Sequence, residues 1–218
     1  MHRRTFTSGG LALIASVISK SYASDYEILL GKLNLEVEKD EVLVQTGSAE
    51  AALRLGKCAF LFAPYSKVKF NVREGFAVKA ANLISGAMHS VFDPKEKAER
   101  TVSTSHATIG IRGTAHYVEL EEDYGRTYSC CCYGHIQIRT DKDEETQRTN
   151  YHDARVVNAS GEIQGSPYTV PLNHYDDSLV FLENSVDRKP RWSLPNGEMQ
   201  FFAPFALADD QVSVNLSL

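Results

Sequence analysis

The stretch ATIGIRGTAHYVEL, Ala107 to Leu120, decides how the rest of the chain reads. Its small, branched and aromatic residues are strand text, yet Gly110 and Gly113 flank Ile111-Arg112. Two glycines inside a strand predict a sharp backbone corner, where positive φ or close approach is required. Arg112 at that corner offers a planar fork that binds an anion or a ligand carboxylate. The same side chain would equally serve by pairing with a neighbouring carboxylate or capping strand-end carbonyls.

Outward from this stretch the texture stays β, from Leu29 to about Arg139. Short runs such as EVLVQTG, AALRLG, AVKAANLISG and YSCCCYGHIQI alternate with Gly, Asn, Asp and Lys turns. Turn signals spaced roughly 8–12 residues apart predict an all-β fold of short strands, a sandwich, barrel or β-solenoid. Phe60 and Phe62, then Val68, Phe70 and Val72, keep the period-2 alternation of half-buried strands. Asp93 to Arg100, DPKEKAER, reads as a charged, solvated loop or short helical turn.

Residues 141–150, DKDEETQRTN, are polar, charged and free of large apolar side chains, which reads as a linker or exposed loop. This divides the chain into a β-domain over 24–140 and a C-terminal appendage over 151–218. Within the appendage a helix is expected at about 174–187. Asn173 stands at its start as a cap, Asp176 and Asp177 lie in the first turn, and Pro190 is a stop. Leu179, Leu182 and Val186 share one helical face. Trp192 and Met199 to Leu207 are expected to pack back on the β-domain, and the last ten residues to add an edge strand.

Residues 1–23 read as an export signal: His2, Arg3 and Arg4 at the start, an apolar run from Leu11 to Ile18, and Ser21-Tyr22-Ala23 at the end. Arg3-Arg4-Thr5-Phe6 also fits a twin-arginine signal in part, although Thr7-Ser8 follows where that signal usually has Leu-Lys. The alternatives are an ordinary secretory signal or an uncleaved anchor. The twin-arginine route carries proteins already folded, which suits a bound metal. Removing residues 1–23 takes three of the 23 basic side chains (Arg3, Arg4, Lys20) and none of the 28 acidic ones, so the remainder carries a net charge of −8. No basic stripe interleaved with aromatics is present, so no nucleic-acid partner is implied. The run Leu11 to Ile18 is too short to span a bilayer, and no further apolar run approaches that length.

The sequence holds four cysteines, and three of them are adjacent: Cys130, Cys131 and Cys132. Neighbouring strand residues point to opposite faces, so this is no disulfide framework. From Tyr128 to Arg139 the even positions are the apolar ones. Cys130 and Cys132 are therefore expected to point inward and Cys131 outward. Buried free cysteine packs as a small hydrophobe, and packing alone accounts for the pair. Two thiols at i and i+2 on one face also suit a soft ion, Zn²⁺ or Cu⁺. His152 and His174 would complete a tetrahedral Cys₂His₂ set, while His135 lies on the face of Cys131.

The motif Ala107 to Thr114, the strand Ala115 to Leu120, the turn at Asp123 to Gly125 and the strand Thr127 to Cys132 followed by Gly134 together resemble the FecR domain. The likeness covers roughly Gly31 to Thr140. It is specific at Arg112-Gly113-Thr114 and loose before it. The chain is similar to the exported, stand-alone members with a C-x-C-Y-G motif (Cys130, Cys132, Tyr133, Gly134) and an N-H-x-D-x-x-L-x-x-L-E helix (Asn173 to Glu183). The family's regulators carry a cytoplasmic helical segment and a membrane helix where this chain has a signal, so sigma-factor control in cis is not implied.

The resemblance implies a periplasmic all-β module for a protein or cell-envelope ligand. No Ser-His-Asp signature, HExxH or phosphate-cradling glycine loop is present, so the expectation is a non-enzymatic protein. The alternative function is a metal-binding or thiol-redox-responsive protein built on Cys130, Cys132, His152 and His174.

Overall fold

The computed structural model describes residues 26–95 and 99–191. Residues 1–23, expected to be an export signal, Trp192, the segment 199–207 and the last ten residues lie outside the described part. Fourteen strands form one continuous sheet: β1 Tyr26–Leu30, β2 Leu33–Glu38, β3 Glu41–Thr46, β4 Ala51–Leu55, β5 Cys58–Phe62, β6 Lys67–Val72, β7 Val78–Ser85, β8 Ala87–Val91, β9 Arg100–Ser103, β10 Thr108–Glu121, β11 Arg126–Arg139, β12 Glu144–Thr149, β13 Asp153–Asn158 and β14 Ile163–Gly165. One helix, α1, spans Asp176–Asn184. The fold is all-β with a small helix, as its sequence texture predicts.

The fourteen-residue strands β10 and β11 form an antiparallel hairpin that serves two arms of the sheet. The later half of β10 pairs with β8, and beyond it come β5, β4 and β1. Its earlier half pairs with β9, leading to β7, β6, β3 and β2. On the other side, the earlier half of β11 pairs with β13 and its later half with β12. The arms face each other across an apolar interior. Phe60 and Phe62 on β5 meet Phe70 on β6, with ring centroids 4.7 and 6.2 Å apart. The alternation read at Phe60, Phe62, Val68 and Phe70 is burial in this interior, each fully buried.

The corner lies at Arg112-Gly113-Thr114, where the β10–β11 register shifts. Gly113 has φ +58°, and a Cβ there would sit 3.0 Å from Pro94 Cα. Gly134, opposite the corner, has φ 101°. These are conformations and spacings that favour glycine. Gly110 does not share this role, because its φ is not positive and a Cβ would meet only ordinary contacts.

The switch at Gly134 corrects the expected orientation of the cysteines. Cys131 points into the interior between the arms, together with Ile136 and Ile138. Cys130 and Cys132 point the other way, into a second buried layer beneath α1. The face presented to the interior changes from odd to even positions where β11 passes from one arm to the other. A single parity over Tyr128–Arg139 misses that change.

Two boundaries also differ. The polar stretch 141–150 contains β12, a strand paired on one side only, and half of its residues are exposed; charged residues suit such an edge. The described part of the appendage is no separate unit, because β13 and β14 extend the sheet. Helix α1 is also shorter than 174–187. Asn173 has φ 52°, the N-cap is Tyr175, and the Asn173 amide donates to Glu119 instead of capping. Arg100, placed by sequence in a charged loop, is 1% exposed on β9 and donates to the Asp93 carbonyl at 2.8 Å.

Candidate metal centre

Helix α1 lies over β8 and β5, whose outer faces are lined with small residues. Ala59, Ala87 and Val91 let the helix approach, and Leu179 and Leu182 fill the gap. Strands buried on both faces read as continuous apolar runs, as CAFLF and AMHSV do. At the β11 edge of this layer the apolar residues give way to sulfur, imidazole and carboxylate.

Four side chains converge there. Cys130 and Cys132 come from one face of β11. His152 comes from the connection between β12 and β13, where its N–H donates to the Cys132 carbonyl at 2.9 Å. His174 comes from the turn before α1, stacked on Tyr117 at 4.2 Å. One donor atom from each of the four lies within 4.8 Å of those from the others. Cys130 Sγ is 3.5 Å from His152 Nδ1, and His152 Nδ1 is 3.3 Å from His174 Nε2. A tetrahedral ion with Zn–S of about 2.3 Å and Zn–N of about 2.05 Å separates S from N by about 3.5 Å and N from N by about 3.3 Å. The Cys130–His152 and His152–His174 separations match such an ion.

The neighbours of the two imidazoles aim their lone pairs at the same point. His174 Nδ1–H donates to the Leu172 carbonyl at 2.6 Å, which leaves Nε2 as the acceptor. His152 Nε2–H donates to Asp176 Oδ1 at 3.1 Å, which leaves Nδ1. Tyr151 Oη–H donates to the other Asp176 oxygen at 2.9 Å. Two nitrogen lone pairs 3.3 Å apart repel unless a proton or a cation lies between them. A carboxylate on one ligating histidine and a carbonyl on the other are the partners metal sites use to orient imidazole.

Proton affinities follow from this packing. Burial disfavours the charged form of His152, but its bonds to Asp176 and Cys130 outweigh that and raise it to about 9. Burial also resists ionisation of Cys130; hydrogen bonding from Cys132 and the nearby His174 and His152 reverse this, so its pKa falls well below that of an ordinary thiol. Cys132 moves up, through burial and the adjacent Cys130. This packing favours the thiolate form of Cys130, the thiol form of Cys132 and a bound proton on His152. A dication would take the place of protons already gathered there. None of the four cysteines is joined in a disulfide.

His89 belongs to the same cluster and is missed by reading the sequence. Ser178 Oγ–H donates to the Tyr175 carbonyl, so its oxygen accepts from His89 Nδ1–H at 3.0 Å. His89 Nε2 then faces Cys132 Sγ at 3.5 Å. Burial, followed by the neighbouring His174, His152 and His116, keeps it neutral. The available signal was a histidine in the middle of the apolar run AMHSV. Tyr133 and Glu183, also outside the expected set, bond to each other, and Glu183 pairs with Arg188 at 2.6 Å, pinning α1 to β11. Arg112 stands apart from the cluster, exposed at the corner, and His135 lies opposite it on β11 rather than near the thiols.

No known protein family and no curated protein matches this sequence. Among solved structures, the chain is similar to a protein of Parabacteroides distasonis provisionally described as an anti-sigma factor. The TM-score is 0.50 at 12% identity, over 58% of this chain and 59% of that one. A second structure from the same organism, with the same description, matches with a TM-score of 0.40 at 12% identity, over 62% of this chain and 56% of that one. The chain thus spans less than two thirds of the length of either, and at this identity the likeness is one of fold alone.

Proposed function

We propose that this protein is an exported, non-enzymatic module of the cell envelope in which Cys130, Cys132, His152 and His174 hold a zinc ion that fastens the helix layer to a FecR-like β-domain. The observation that carries the metal reading is the donor geometry: S–N and N–N separations of 3.5 and 3.3 Å, with both imidazole lone pairs aimed inward. Four protein ligands in a buried setting leave no open position for substrate, which is the pattern of structural rather than catalytic zinc. Cu⁺ is the other soft ion such a set takes. The sensing role rests on the FecR-like motif from Ala107 to Thr114 and on a fold shared with a described anti-sigma factor, a regulatory class that works through protein partners. Export and a periplasmic location rest on residues 1–23.

Metal analysis of protein purified from the periplasm tests the site. The wild type is expected to carry about one zinc per chain, and Cys130→Ser and Cys132→Ser less than about a tenth of that, since each removes a thiolate ligand. Equal metal content in all three would sink the proposal. Copper in place of zinc, lost in the same variants, would keep the site and change the ion.

A further inference from the structure

The long hairpin brings a second group of residues together on the opposite arm, away from the metal cluster. Arg112 on β10 is directly opposite His135 on β11, and His135 is directly opposite Arg148 on β12. Directly opposed residues of antiparallel strands project to the same face, so these three side chains form one row. The outer strands of such a row lie about 10 Å apart. An extended arginine side chain is long enough to bring its guanidinium over the central imidazole from that distance.

The row is unusual in its charge. Like charges side by side on a sheet destabilise it, and a sheet face normally interleaves carboxylates. On this face Glu144 lies four residues along β12 and is engaged by Gln137 at 2.6 Å and Arg139 at 3.1 Å. Glu99, just before β9, is the acidic residue nearest Arg112 along that strand. Among the described residues, neither Arg112 nor Arg148 makes an ion pair within 4.0 Å. His135 feels both of them: burial, then Arg148, then Arg112, lower its pKa. Beside the row lies a cavity of about 500 Å³, lined by Gly134, His135, Arg148, Thr149 and Asn150. Gly134, at the sheet switch, contributes no side chain to fill it. Thr149 and Asn150 add polar groups at its wall.

We propose that Arg112, His135 and Arg148 form a binding site for an oxyanion, a phosphate or carboxylate group carried by a small molecule seated in the adjoining cavity. Planar arginine forks bind both groups bidentately, and the His135 N–H adds a donor between them. Gly134 then has a role beyond turning the strand, since it leaves open the space beside the row. The site shares no ligand with the metal centre, so each proposal stands or falls alone.

Calorimetric titration of the full chain with inorganic phosphate and with succinate separates the two sources. Saturable binding of either, weakened about tenfold or more by Arg112→Gln and by Arg148→Gln, is the expected result. Arg139→Gln, which removes a guanidinium already paired with Glu144, is expected to change it less than about twofold. Tighter phosphate identifies a phosphorylated ligand, and tighter succinate a carboxylate. Thermal unfolding gives a second readout. Without anion, Arg148→Gln is expected to unfold at a slightly higher temperature than wild type, because the row loses a repulsion, and to lose the rise that phosphate produces in wild type. No saturable binding of either probe up to about 10 mM, or a loss shared equally by Arg139→Gln, overturns the proposal.

Discussion

The two buried layers of this molecule are made of different materials. Between the arms lie Phe60, Phe62, Phe70, Phe92, Val42 and Leu53, all at most 2% exposed and held by contact area. Beneath α1 lie alanines, tyrosines, histidines, Asp176 and Glu183, with Leu179 and Leu182 as the fully buried apolar anchors of the helix. A nine-residue helix is about 14 Å long and marginal by itself. Two buried leucines contribute about 2–3 kcal/mol each, which ordering the connecting chain consumes. The first layer is self-sufficient; the second depends on directed bonds, and a metal would supply the strongest of them.

Replacing Phe60 attacks the self-sufficient layer at its centre. Phe60→Ala is expected to cost about 3–5 kcal/mol in urea unfolding, lowering the midpoint for the whole domain. A loss below about 1 kcal/mol would remove the contrast between the layers.

Acid probes one buried polar residue of the apolar layer, His116. It is fully buried, its Nε2 lies 3.0 Å from Ser129 Oγ, and its Nδ1 has no hydrogen-bond partner among the described residues. Burial lowers its pKa to about 4, against about 6.5 in the unfolded chain. Between these values the unfolded chain binds the extra proton, so stability falls as pH drops from 6.5 towards 4. The contribution is whole above 6.5 and amounts to about 3 kcal/mol. Unfolding wild type and His116→Gln across this range isolates it. Parallel pH curves for the two proteins would show that another group carries the acid sensitivity.

The directed bonds of the helix layer are tested at Asp176, which holds His152 without touching the proposed ion. Asp176→Asn is expected to weaken zinc about tenfold in competition with a chelating indicator, at the low end of the range for such partners. Unchanged affinity with intact folding would mean that the carboxylate serves only to anchor the helix.

What could be read from the sequence divides along the same line. Alternation at Phe60, Phe62, Val68 and Phe70 announces an all-β interior because contact with a core leaves a period in the side chains. The spacing of Cys130 and Cys132 places two thiols on one face for the same reason. Periodicity does not say which of two layers a face meets, and the switch at Gly134 reverses that assignment within one strand. β12 escaped notice because an edge strand with a solvated face carries no apolar stripe. His89 escaped because its partners, Cys132 and Ser178, are distant in the chain and meet it only through the sheet pairing and the helix crossing.

The finest test of the comparison lies inside the cysteine triplet, where adjacent residues on β11 serve opposite layers. Cys131 is fully buried in the interior and sits opposite His116. Valine has similar bulk and no need for a partner, so Cys131→Val is expected to cost less than about 1.5 kcal/mol in urea unfolding. Its zinc content should equal that of wild type. The same replacement at Cys132 introduces similar bulk but removes a ligand, so zinc should be lost. If Cys131→Val loses zinc while keeping its stability, the orientation of β11 at the switch is other than described, and the four-ligand site falls with it.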